Sequence, residues 1–81
     1  MKTARETFEE LGFIYFDMIE TLGSIKYTKD SDYGRYYIIF NLREGTYVCD
    51  YKFKGQRVSF DISMPLHNAI HLQLKENGSM L

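Results

Sequence analysis

Two histidines, His67 and His71, stand four residues apart in the last part of this 81-residue chain. On a helix that spacing stacks both imidazoles on one face, an arrangement that chelates zinc. The zinc-protease helix also needs a glutamate beside its first histidine as general base, and here Asn68 holds that place. No third histidine and no second cysteine complete a usual ligand set, so the pair reads as surface histidines with no metal and no cofactor. Cys49, the sole cysteine, excludes an intrachain disulfide and fits a reducing compartment. Alternation around it points inward, which makes it a small core hydrophobe rather than a nucleophile. There is no glycine-rich phosphate loop and no nucleophile elbow. The expectation is a protein that is not an enzyme.

The remaining chemistry lies in three alternating runs, Arg35–Leu42, Thr46–Lys54 and Arg57–Met64. With tight turns at Glu44-Gly45 and Gly55-Gln56 they form an antiparallel meander whose two faces can be written down. Tyr36, Ile38, Phe40, Tyr47, Cys49, Tyr51, Phe53, Val58, Phe60 and Ile62 share the apolar face. On the other face this register sets Arg35, Lys54 and Arg57 side by side, with Tyr37, Lys52 and Ser59 in the next row. Like charges abreast repel by roughly 0.2–1 kcal/mol per adjacent pair unless solvated or neutralised, so the row is either a solvated face or an anion-seeking patch. Tyr37 is a possible stacking surface for a base. One row further, Ile39, Asp50 and Asp61 meet. Facing carboxylates can share a proton or hold a hard cation, but catalysis also needs a pocket and a third positioned group. Lys52 offers them simple charge compensation. Ile39, Val48 and Tyr37 form an apolar island ringed by Arg35, Arg43, Lys52, Lys54 and Arg57, a composition that suits a protein interface better than a phosphate track.

The elements that carry these residues can be placed. Thr3 and Glu6 form a capping box, and Ala4, Phe8 and Leu11 recur at helical spacing before Gly12, which predicts a first helix over about residues 4–11. Phe13-Ile14-Tyr15-Phe16 shows no period. Because Gly12 breaks the helix, two strands are expected at about 13–19 and 24–29, followed by the polar loop Lys29–Asp32. Ser63 caps a last helix with Pro65 in its first turn, Leu66, Ala69, Ile70 and Leu74 as its apolar stripe, and Gly78 as its end. Only the two helices can cover the apolar sheet face. The fold class expected is α+β, a twisted antiparallel sheet of four to five strands with N- and C-terminal helices packed on one face, in a single domain over 1–81.

The 44% apolar and 16% aromatic content is enough for a packed globule. A net charge of −1 exerts no global pull on nucleic acid or anionic lipid. The charge is uneven, however: residues 1–20 set two basic groups against five carboxylates, and residues 24–60 set seven against four. No run approaches the ~20 apolar residues of a membrane span, and the start has no signal-peptide segment, which points to a cytoplasmic protein without a membrane partner.

Phe8-Glu9-Glu10-Leu11-Gly12-Phe13, Ile38-Ile39-Phe40 and Ile62–Ile70 leading into Gln73 resemble small, mostly uncharacterised proteins encoded by phages and prophages of Gram-positive bacteria. Those proteins also end in a helix and a Glu/Leu-Gly element, here Glu76-Asn77-Gly78. The resemblance implies a bacterial or phage cytoplasmic setting and carries no functional residue with it. Taken together, the expectation is a protein-interaction module working through its exposed sheet face or an edge strand. Homodimerisation through the sheet is one form of this, and nucleic-acid binding through the basic face or a small metal-dependent enzyme are the alternatives.

Overall fold

The structure is a computed structural model that describes residues 2–80. Its first element, α1 (Ala4–Glu10), starts where the capping box demands: the Thr3 hydroxyl accepts from the Glu6 N–H at 3.2 Å and the Glu6 carboxylate accepts from the Thr3 N–H at 3.0 Å. Gly12, at φ +93°, turns the chain out of the helix. Strand β1 (Ile14–Met18), the single turn α2 (Ile19–Leu22) and strand β2 (Ser24–Asp30) follow, so the two expected strands form, but a helical turn stands between them and Lys29 and Asp30 belong to β2 rather than to the expected loop. The meander β3 (Gly34–Asn41), β4 (Thr46–Phe53) and β5 (Gln56–Val58) completes one antiparallel five-stranded sheet in sequence order, and α3 (Met64–Met80) closes the chain. Among the described residues no helix is long and apolar enough to cross a membrane.

The core lies on one side of this sheet. Phe8 of α1 stacks on Tyr27 of β2 at 3.9 Å, and both rings meet the edge of Phe40 at 6.2 Å. Leu66, Ala69 and Ile70 of α3 bury themselves in the same cluster with Ile25 and Ile38. Burying each such large side chain contributes about 1.5–3 kcal/mol, which is what holds a seven-residue helix too short to persist alone. The two helices are also tied end to end, since the Glu76 carboxylate accepts from the Ala4 N–H at 2.6 Å.

Several expectations are corrected. The β3–β4 connection is the four-residue loop Leu42–Gly45, because buried Leu42 donates its N–H to the Gly23 carbonyl at 2.9 Å and draws the turn inward. The β4–β5 turn is Lys54-Gly55, both with positive φ (50° and 80°), the left-handed pair that matches the twist of a two-residue hairpin. Both registers are thus two residues from those expected, which keeps every side chain on its assigned face but changes its neighbours. The third run of the meander is short: residues 59–63 carry no regular structure. Tyr47, Val58 and Ile62 stay 40–44% exposed, so the helices cover only part of the apolar face.

Helix α3 is corrected too. Ser63 does cap it, accepting from the Leu66 N–H at 3.2 Å, but Gly78 lies inside the helix rather than ending it. Leu74 is 38% exposed, and Gln73 and Asn77 are buried in its stead. The Tyr27 hydroxyl donates to Gln73 Oε1 at 2.6 Å, and Gln73 Nε2 donates to Asn77 Oδ1 at 2.9 Å. This polar ladder completes the helix seat beside Leu66, Ala69 and Ile70.

Candidate functional site

The sheet face opposite the helices is the candidate site. Its four rows follow from strand pairing: Asp30–Arg35–Lys52–Arg57, then Ile14–Thr28–Tyr37–Asp50, then Phe16–Lys26–Ile39–Val48, then Met18–Ser24–Asn41–Thr46. Strands β1 and β2 extend this face rather than fold over it. Ile14, Phe16 and Val48 are 58%, 43% and 52% exposed, with half-buried Ile39 and Tyr37 between them.

The basic row is real but its membership differs. Lys52, not Lys54, stands between Arg35 and Arg57, because Lys54 occupies the hairpin turn and reaches the Phe53 ring at 5.4 Å. The arginines are neutralised within the face. Arg35 Nε meets Asp30 Oδ1 at 2.5 Å, which holds the guanidinium still more firmly protonated, and Arg57 Nε lies 3.8 Å from Asp50 Oδ2. Lys52 sits over the Tyr37 ring at 5.4 Å, and Lys26 over Phe16 at 5.1 Å. Each lysine thereby lays its stem along apolar surface and keeps its ammonium in water. Arg43 stands in the β3–β4 loop, packed against Gly23 close enough that a Cβ there would lie 2.8 Å from its Nε.

The expected carboxylate pair is not formed. Asp50 faces Tyr37 across the strands, and Asp61 lies beyond β5 in the irregular segment. His67 and His71 are both exposed, and among the described residues no group of three or more histidine, cysteine or acidic side chains is placed to hold a metal. Cys49 is half-buried on the inner face, where burial, then the nearby Asp50 charge, pushes its thiol pKa up and away from reactivity.

Ile14 and Phe16 are the part of the site that the sequence reading missed. The signal was present: a strand apolar at successive positions, as Ile14-Tyr15-Phe16 is, has a second apolar face, and here Tyr15 points to the core while its neighbours point out. Comparison with protein-family models, with curated proteins and with solved structures gave no match for this chain.

Proposed function

We propose that this chain is a non-enzymatic protein-interaction module that seats a partner protein on the open sheet face, acting as a phage or prophage accessory protein on a host or phage target. The observation that carries the reading is the exposed apolar stripe Ile14–Phe16–Ile39–Val48 on a face whose arginines already have carboxylate partners. A phosphate track needs cations free to replace counterions, whereas an apolar centre with tyrosine and a cationic rim is the make-up of a protein interface. The ammonium groups of Lys26 and Lys52 favour a partner patch that is apolar and bordered by carboxylates. The test is affinity capture from a Gram-positive bacterial lysate treated with nuclease, comparing the native chain with Val48→Lys. A protein held in stoichiometric amount by the native chain and lost by the variant is the expected result. Retention by both, or by neither, overturns the reading. Sedimentation of the purified chain shows whether the partner is a second copy.

The two ring–lysine pairs, Phe16 with Lys26 and Tyr37 with Lys52, favour a second reading as a single-stranded nucleic-acid surface. That reading requires binding that weakens steeply with salt, and absence of binding to DNA and RNA at ~50 mM salt eliminates it.

A further inference from the structure

On the helix-bearing side, away from the open face, a cleft of about 250 Å³ opens between the end of α1 and the segment leading into α3. Phe13 and Leu66 are nearly buried and form its floor, with Leu11 and the rings of Tyr36 and Phe60 around it. Tyr36 and Phe60 meet edge to face at 5.0 Å, so this wall is itself a packed unit. The volume falls below the ~300–1,000 Å³ of pockets that take drug-sized molecules, which limits any occupant to a small one.

Three polar side chains reach the same cleft: Lys29 from β2, and Asp61 and Ser63 from the irregular segment. Lys29 occupies a core-side position of β2 whose companions, Ile25 and Tyr27, are buried hydrophobes. It is half-buried as a residue, its stem runs past Gly12, where a Cβ would lie 3.3 Å from its Cε, and its ammonium lies 5.8 Å from the Phe13 ring centre. Among the described residues no carboxylate comes within 4.0 Å of it, and Asp61 has no cationic partner either. The cleft therefore holds one cation and one anion that do not neutralise each other. An ammonium beside an apolar floor and without a carboxylate partner is a donor that a ligand's carboxylate can engage in a charge-assisted hydrogen bond.

We propose that this cleft binds a free aromatic amino acid in its zwitterionic form. Lys29 takes the carboxylate, Asp61 takes the ammonium, the Ser63 hydroxyl donates to the carboxylate, and the side chain lies among Phe13, Tyr36 and Phe60. Both ligand charges are required. A simple acid meets the repulsion of Asp61, and a simple amine meets that of Lys29.

The experiment is a titration of the isotope-labelled chain with L-phenylalanine, phenethylamine and 3-phenylpropionate, followed by amide chemical shifts. Saturable shifts centred on Lys29, Tyr36 and Phe60–Ser63 are expected for phenylalanine in the millimolar range, with the other two at least about tenfold weaker. Lys29→Met and Asp61→Asn should each weaken phenylalanine by about tenfold or more, and Lys29→Arg should retain it. The unperturbed remainder of the spectrum reports that each variant is folded, and Asp61→Asn, at an exposed position, keeps the test valid if Lys29→Met does not fold. No localised shift with phenylalanine, equal binding of all three compounds, or binding indifferent to both charge-removing variants overturns the proposal. Because the cleft and the open face share no residue, failure here leaves the interaction reading standing, and the reverse also holds.

Discussion

At Gly34 the sheet tolerates no side chain. A Cβ there would lie 1.9 Å from the Lys52 carbonyl oxygen, backbone against backbone, although its φ is one that any residue adopts. Gly34→Ala should therefore cost about 3 kcal/mol by displacing the start of β3, read as a lowered urea midpoint with an unchanged slope. Tyr27 sets a different kind of limit. Burial, reinforced by the charges of Tyr15 and Glu76, holds its phenol pKa above the usual tyrosine range near 10.0. The folded state thus keeps a proton that the unfolded chain gives up, so this contribution is complete below about pH 10 and is lost as pH rises through the folded value. The slope should approach ~1.4 kcal/mol per pH unit on the alkaline side. Tyr27→Phe should flatten that limb in pH-dependent denaturation, while at pH 7 it loses about 1–3 kcal/mol because Gln73 Oε1 is left without its buried donor. Little of this was legible in the letters. Gly34 looks like any glycine at the edge of a loop, and Tyr27 like any aromatic in a strand; both depend on what the folded chain brings opposite them. Cys49 was legible, because alternation alone decides which way it points.

Among the elements, those governed by near neighbours were read well and those governed by distant ones were not. Thr3 with Glu6, Ser63 with Pro65, and Gly12 are local devices, and each starts or stops a helix where the sequence places it. The hairpin registers came out two residues off because a lysine accepted a left-handed conformation at position 54 and because Leu42 was drawn towards Gly23. The far half of α3 departed for a similar reason. Its seat is polar, and only Tyr27 arriving from 46 residues away makes Gln73 rather than Leu74 the buried choice. The clasp between α3 and α1 is the feature to break at this scale. Glu76 places a carboxylate at the positive end of α1, taking up a backbone N–H that the helix cannot pair for itself. Glu76→Ala should cost about 1–2 kcal/mol and Glu76→Gln roughly half as much, since the amide keeps an acceptor and loses the charge. Thermal melts followed by far-ultraviolet dichroism measure both.

As a whole, the molecule is a sheet dressed on one side only. The candidate face was legible as an apolar island within charge, and its residues Tyr37, Ile39, Val48 and Lys52 fall together as the alternation required. Its reach across β1 was not, because a strand with two apolar faces has no period to detect. Substitutions on this face should leave the fold unharmed: Val48→Lys, at a half-exposed position with no packing role in the core, should shift stability by less than about 0.5 kcal/mol while abolishing partner capture. Comparison of its melting temperature with that of the native chain verifies the first part. The bond between Ala4 and Glu76 has a consequence in time as well as in space. It joins positions 72 apart, and the cluster that contains Phe8 takes its opposing wall from Leu66, Ala69 and Ile70. Closing a loop of that length forfeits about 4 kcal/mol of chain entropy before any contact repays it. No stretch ending before α3 encloses Phe8, Tyr27 and Phe40. A growing polypeptide must therefore carry those rings uncovered until α3 has been made, and folding waits for that helix rather than proceeding step by step along the sheet.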